Sequence, residues 1–268
     1  HSVTAHPSQR GALYLVPTPL DFGIKQDVPA SAGEWLPAET LTAASRITHW
    51  ITENAKSTRA FLKRVDAVHA LAVPLQAQQV VELPRAAHKK GDHVPQADMD
   101  AQARALLSPA ELGHDVGLVS EAGMPAIADP GGSIVRAAHA LGLRVVPLTG
   151  PVSLMLALAA SGLNGQSFAF VGYVPQDAHE RTQRLRELEA MALKTGQTQI
   201  LIETPYRNAA LLQGMLQTLH PHTRLAVCGA LTLPQQVCRS ALVNDWKRDQ
   251  RLAASLPLDA PCVFLLGR

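Results

Sequence analysis

The chain has 268 residues, 47% of them hydrophobic and 17% charged, with a formal net charge of +2. That balance allows one large buried core or two of ordinary size, and it excludes a disordered chain and a strongly basic nucleic-acid-coating protein. Three cysteines, Cys228, Cys238 and Cys262, are odd in number and lack metal-type spacing, so neither a disulfide framework nor a metal site is expected. No apolar run reaches the roughly 18 residues that a membrane helix needs. The start at His1 carries no signal-peptide pattern, and a cytoplasmic protein with a trimmed N-terminus is expected.

In chain order, Ala12-Leu-Tyr-Leu-Val16 reads as a short strand closed by Pro17-Thr-Pro19. Residues 27–40, with Pro29, Gly33 and Pro37, read as an irregular insert. A mixed helix is expected from Ala38 to Trp50, a strand from Ile51, and a helix from Asn54 to Val65 that buries Leu62 and Val65. A basic loop follows with Arg85, His88, Lys89, Lys90 and His93, then a helix from Asp98 to Leu107 and a strand from Val116 to Ser120. Ser133 is a candidate N-cap for a helix from Ile134 to Leu141, and Gly142 suits its C-terminal stop. The strand Leu143–Leu148 leads to a helix from Val152 to Ser161, with Pro151 read at its first position. The second half offers strands at Phe168–Val171, Ile200–Glu203, Leu225–Leu231 and Pro261–Leu266. Its helices are Asp177–Lys194, with Leu185, Leu188 and Met191 inward and Arg181, Arg184 and Arg186 outward, and Asn208–Leu219. Alternating strands and helices with short links predict parallel α/β architecture.

Several chemistries lack their motif. The chain has no phosphate-binding G-x-x-x-x-G-K-[ST] loop, no H-E-x-x-H, no G-x-S-x-G elbow and no dinucleotide G-x-G-x-x-G. What stands out is the stretch from Gly117 to Gly132, an apolar strand opening into a loop rich in Gly and Pro. Gly123, Gly131 and Gly132 permit close backbone approach to a ligand, and the loop holds two acids, Glu121 and Asp129. Glu121 falls at the carboxyl end of a strand, where α/β folds bind ligands, and a carboxylate there suits a ribose hydroxyl or an ammonium. A plain turn with a solvated Glu121 and a capping Asp129 is the other reading of the same residues.

Val119-Ser-Glu-Ala-Gly-Met-Pro-Ala-Ile-Ala-Asp-Pro-Gly131 closely resembles the V-S-D-A-G-T-P-x-I-x-D-P-G motif of the ribosomal RNA small subunit methyltransferase I family, within the tetrapyrrole methylase superfamily. Leu13-Tyr-Leu-Val-Pro-Thr-Pro-Leu20, Glu53-Asn-Ala-Lys-Ser-Thr-Arg59, Val145-Val-Pro-Leu-Thr-Gly-Pro151 and Glu203-Thr-Pro-Tyr-Arg207 match further family segments in order. The resemblance implies two α/β domains, residues 1–149 and 150–268, a homodimer, and S-adenosylmethionine in a cleft between the domains. Carried over by position, it implies cofactor contacts at Pro19, Leu20, Glu121, Ala122, Gly123, Met124, Val152, Ser153 and Leu154. On the acceptor side it implies Lys56 and Arg59 holding phosphate and Glu53 orienting or deprotonating a ribose hydroxyl; a solvated helix start is the plainer reading.

The implied partner is ribosomal RNA or the small ribosomal subunit. Departures from the motifs gather on the substrate side. Glu121 replaces the family's Asp, Asn54 stands where the family has an acid, and Gly229-Ala-Leu-Thr-Leu233 replaces R-E-L-T-K and its charges. Methylation of a tetrapyrrole or other small molecule, and a non-catalytic RNA- or cofactor-binding relative, therefore stay open as alternatives.

Overall fold

The structure is a computed structural model, and it describes residues 9–21, 32–84 and 96–268. Residues 27–31 of the expected insert at 27–40 and the basic loop with Arg85, His88, Lys89, Lys90 and His93 lie outside the described residues. The chain divides into two compact units, His1–Pro151 and Val152–Arg268.

The first unit is a five-stranded sheet in the order β3-β2-β4-β1-β5, built from β1 (Leu13–Val16), β2 (His49–Thr52), β3 (Gln79–Glu82), β4 (Val116–Val119) and β5 (Val145–Pro147). Every pairing in it is parallel. Helices α1 (Ala38–Arg46) and α2 (Ala55–Val68) contribute Leu41, Ala44, Phe61, Leu62 and Val65 to one core layer with Val16, Trp50 and Val119. Helices α3 (Gln96–Leu106), α4 (Ser108–Glu111) and α5 (Gly132–Ala140) build the other with Leu13, Ile51, Val116 and Leu118. Gly117 sits opposite Trp50 in register, and a Cβ there would lie 2.6 Å from the indole ring. The missing side chain lets the largest buried residue of this unit lie flat on the sheet, with its Nε1 donating to Gln78 Oε1 at 2.8 Å.

This strand order has a consequence for ligands. From β2 the chain runs outward to β3, whereas from β4 it runs the other way to β5. The loops leaving β2 and β4 therefore diverge, and such a switch point leaves a crevice at the carboxyl ends of the strands. Glu53 is the first residue past β2, and Glu121 is the second past β4.

The second unit also has five strands, in the order β6-β7-β10-β8-β9: β6 (Phe168–Gly172), β7 (Thr198–Ile202), β8 (Arg224–Gly229), β9 (Val237–Leu242) and β10 (Cys262–Gly267). Only β6 and β7 pair in parallel; the other three pairings are antiparallel, so this half is a mixed sheet. Helices α7 (Ala178–Thr195), α8 (Asn208–Thr218) and α9 (Val243–Arg248) pack one face around Leu185, Leu212, Met215 and Trp246. Helix α6 (Ser153–Ser161) packs the other with Leu154, Ala157 and Leu158, and α10 (Gln250–Ala254) precedes β10.

Several local expectations change. Helix α1 stops at Arg46, because the β-prone run His49-Trp-Ile-Thr52 joins the sheet. Ser133 lies inside α5, whose N-cap is Gly131 at φ 132°, while Gly142 does take the left-handed conformation at the other end. Pro151 precedes the N-cap Val152 of α6 and is not in its first turn. Met191 faces solvent, and Arg181 turns inward beside Gly214. Strands β3 and β9 and helices α4, α9 and α10 have no counterpart in the sequence reading.

Candidate functional site

At the carboxyl edge of the first sheet three loops press together. Pro17, Thr18, Pro19 and Leu20 after β1 are buried. Thr18 and Gly123 exchange two backbone hydrogen bonds of 3.1 Å, pinning the β1 loop to the β4 loop. Gly123 takes φ +73°, and a Cβ there would sit 2.8 Å from Leu20 Cδ2 and 3.1 Å from the Pro151 carbonyl oxygen. A Cβ on Gly150 would fall 2.2 Å from the Pro17 ring. The glycines thus stand where the neighbouring loop packs against their Cα, and a side chain would collide with Leu20, Pro17 or the Pro151 carbonyl. Buried Ser120 braces the turn from inside, its Oγ donating to the carbonyls of Gly123 at 3.2 Å and Ala122 at 3.3 Å. Ala126 and Ala128 hold φ values of 64° and 59°. Each costs about 1–2 kcal/mol relative to ordinary backbone, strain of a kind that gathers at ligand loops.

Three carboxyl groups gather at this edge. Glu53, half-buried, is pushed up to about 7, first by burial and then by the neighbouring charges of Asp129 and Glu121; the Glu121 backbone N–H offsets part of the rise. Asp129 is raised to about 6 by burial and by Glu121. One Glu53 oxygen, Oε1, is buried without a hydrogen-bond partner, as is Thr18 Oγ1. The structure therefore holds a surplus of acceptors beside the crevice, and none of the causes acting on Glu53 or Asp129 is a positive charge.

The start of α2 follows Glu53 directly and is itself capped twice. Asn54 caps the helix, its Oδ1 accepting from Ser57 N at 2.9 Å, and Glu82 Oε1 accepts from Ala55 N at 2.9 Å. Asn54 thus does the capping work of an acid, which accounts for that departure from the family segment. Lys56 and Arg59 are exposed on the first turns of the same helix. Arg64, further along, pairs with Asp21 just past Leu20.

In the second unit Val152 is the N-cap of α6, Ser153 opens the helix half-buried, and Leu154 is buried against the sheet. At the end of β7, Glu203 is 8% exposed and accepts from Thr204 N at 2.8 Å and Arg207 Nε at 3.1 Å. With its amide oxygen turned to the guanidinium, Gln176 accepts from Arg207 Nη1 at 3.0 Å and Nη2 at 3.3 Å. Ala230 and Thr232, in the segment that replaces the charged R-E-L-T-K, both hold positive φ, at 53° and 72°.

Of the expected site residues, the first unit brings together Leu20, Gly123, Glu121 and Glu53 at one sheet edge. Sequence reading missed Thr18, and it gave Asp129 only a choice between ligand loop and turn cap. The signal for Asp129 was its place in a Pro/Gly-rich loop; nothing in the sequence pairs it with Glu53. S-adenosylmethionine carries an ammonium, a sulfonium and ribose hydroxyls, so the glycine-lined loops and unpartnered acceptors suit it.

A sequence profile of the tetrapyrrole (corrin/porphyrin) methylases matches residues 48–245. Among curated proteins, ribosomal RNA small subunit methyltransferase I of Halalkalibacterium halodurans is 32% identical over 83% of this chain and 65% of its own length. The protein of that name from Pseudomonas aeruginosa is 36% identical over 53% of this chain and 50% of its own. The chain thus spans about half to two-thirds of the length of these relatives. Among solved structures, the methyltransferase CobJ superposes with a TM-score of 0.55 at 17% identity, over 96% of this chain and 94% of that one. Uroporphyrin-III C-methyltransferase from Thermus thermophilus, complexed with S-adenosyl homocysteine, gives 0.50 at 17% identity, over 96% and 98%. The structural likeness bears on the fold and the profile on descent, and both agree with the motif order: this chain belongs to the tetrapyrrole (corrin/porphyrin) methylase family.

Proposed function

We propose that the protein is an S-adenosylmethionine-dependent methyltransferase that methylates a ribose 2′-hydroxyl of small-subunit ribosomal RNA. The observation that carries this reading is the glycine-lined edge of the first sheet, with its uncompensated carboxylates, in a chain whose curated relatives are named for that RNA. When bound, the cofactor supplies an electrophilic methyl on a sulfonium sulfur.

The remaining work falls to side chains. Pro19, Leu20 and the stretch Glu121, Ala122, Gly123 and Met124 shape the cofactor pocket, with the Glu121 carboxylate oriented toward a ribose hydroxyl or the ammonium. Val152, Ser153 and Leu154, at the start of α6, complete the proposed contact set. Glu53, raised to about 7, is matched to neutral pH as the group that accepts the proton leaving the acceptor hydroxyl. Lys56 and Arg59, one turn along α2 and open to solvent, supply positive charge for phosphate. Among the described residues no helix is long and apolar enough to cross a membrane, and the same reading makes the protein a cytoplasmic homodimer.

The uncharged segment Gly229–Leu233 favours a second reading, a tetrapyrrole or other small-molecule acceptor. Labelled-methyl transfer to assembled small subunits, to naked ribosomal RNA and to a uroporphyrinogen separates the two. Label is expected on RNA alone; label on the tetrapyrrole alone overturns the RNA acceptor. No heat of S-adenosylmethionine binding in calorimetry at millimolar ligand overturns the enzyme reading itself.

A further inference from the structure

Tyr206 keeps 79% of its surface exposed, and it belongs to none of the roles given above. Its setting is rigid. Pro205 opens a single 3₁₀ turn over Pro205–Arg207, closed by Arg207 N donating to the Thr204 carbonyl at 2.9 Å. Asn208 then anchors the start of α8, its Nδ2 donating to the carbonyls of Leu258 at 3.1 Å and Ala260 at 2.9 Å. The Arg207 guanidinium carbon lies 4.8 Å from the centre of the Tyr206 ring. That guanidinium is itself held by Glu203 and Gln176.

A cation fixed against an aromatic ring is an ordinary attraction. Here the contact accounts for one neighbour of the ring, while the exposure leaves ring surface open to solvent. The turn stands at the carboxyl end of β7, and Tyr173, 53% exposed, stands at the same end of its parallel neighbour β6. The ring's neighbour is thus a cation, the Arg207 guanidinium, which Gln176 and Glu203 hold from their side. An aromatic anchor for a protein partner seats best in a desolvated apolar pocket. An exposed ring backed by a cation instead suits a ligand that is itself flat and carries a π-face.

We propose that Tyr206, backed by Arg207, is a stacking platform for an unpaired nucleobase of single-stranded RNA. The proposal rests on the RNA-acceptor reading and adds a contact in the second unit that holds the strand by a base face. Stacking of this kind tolerates any base, because every base has a π-face.

The test uses the full chain and a short single-stranded RNA carrying one 2-aminopurine, whose fluorescence falls when it stacks. Wild type is expected to bind and quench. Tyr206→Phe and Tyr206→Trp keep both the quench and the affinity, because they keep an aromatic face. Tyr206→Leu loses the quench and binds about five- to a hundredfold more weakly, the range for losing one aromatic–base stack. S-adenosylmethionine affinity and the unfolding midpoint stay at wild-type values in all three. Unchanged RNA affinity in Tyr206→Leu overturns the platform and leaves the RNA acceptor standing. A loss in Tyr206→Phe equal to that in Tyr206→Leu also overturns it, since the hydroxyl would then be the contact. Wild type that binds no RNA overturns both readings.

Discussion

Two glutamates occupy the same place in two sheets and meet opposite surroundings. Glu53 is the first residue past β2, Glu203 the first past β7, and each follows an inner strand. Glu203 is satisfied: a backbone N–H and the Arg207 guanidinium share its Oε1. Glu53 faces two further carboxylates, and its Oε1 has no partner. A carboxylate whose environment has already answered its charge holds a fold together. One left with surplus charge is prepared for something not yet there, a proton or a cationic ligand. The contrast extends to the loops, for the edge at Glu53 closes on glycines with no room for a side chain, while the turn after Glu203 is ordered by Pro205 and an ion pair.

The largest effect belongs to the glycines. Gly123→Ala has to accept a left-handed backbone and a Cβ 2.8 Å from Leu20 and 3.1 Å from a carbonyl. We expect a loss of about 2–4 kcal/mol in stability, from left-handed strain plus overpacking. S-adenosylmethionine binding should fall with it. Gly132→Ala is the control, since nothing lies within 4 Å of its added Cβ and its φ is not in the left-handed range. Denaturant unfolding of the two variants checks the pair. Equal stabilities would mean that the loop is a plain turn.

That loop is the part of the site most legible in the sequence, because bare backbone and tight turns demand Gly and Pro and leave a mark in composition. The carboxylate cluster is not legible. Asp129 and Glu53 come from distant segments, and only the adjacency of β2 and β4 gathers them. Two of the four edge strands fare worst. β3 and β9 carry exposed residues on much of their length, so the apolar alternation that marks a half-buried strand is weak in Gln79-Val-Val-Glu82 and in Val237-Cys-Arg-Ser-Ala-Leu242. Trp50 misleads for a related reason. It follows a helical run closely, and only its fit over Gly117 on the neighbouring strand reveals the sheet.

A smaller effect comes from breaking the satisfied glutamate. Glu203→Ala leaves the Arg207 guanidinium, 29% exposed, without its counter-charge, held by Gln176 and the Tyr206 ring. Removing one partner of a fully buried pair costs about 3–5 kcal/mol, and partial solvent access lowers that here to about 2 kcal/mol. The exposed pair Arg184–Glu187 is the comparison, and its loss should cost less than about 0.5 kcal/mol. Equal thermal midpoints for the two variants would remove the structural role given to Glu203.

The smallest effect has the opposite sign. Glu53 titrates at about 7 in the fold against 4.5 for an unperturbed carboxyl, and Asp129 at about 6 against 3.8. The folded protein therefore binds more protons than the unfolded chain between those limits. Their contribution to stability is complete below about pH 4 and is lost as pH rises to about 7. Glu53→Gln removes a charge that the fold disfavours, so at pH 8 the variant should be more stable than wild type. The gain is on the order of 1 kcal/mol, once solvent screening of a half-exposed carboxyl is discounted. Its advantage should vanish near pH 4, where the wild-type carboxyl is already neutral. Methyl transfer should fall in the same variant at pH 8, because an amide cannot take the proton, and the deficit should shrink as pH drops below about 7, where the wild-type carboxyl is itself protonated. Stability that rises while activity falls separates a group kept for chemistry from one kept for structure. If Glu53→Gln is instead less stable than wild type at pH 8, Glu53 and Glu203 are alike, and the contrast between the two sheet edges fails.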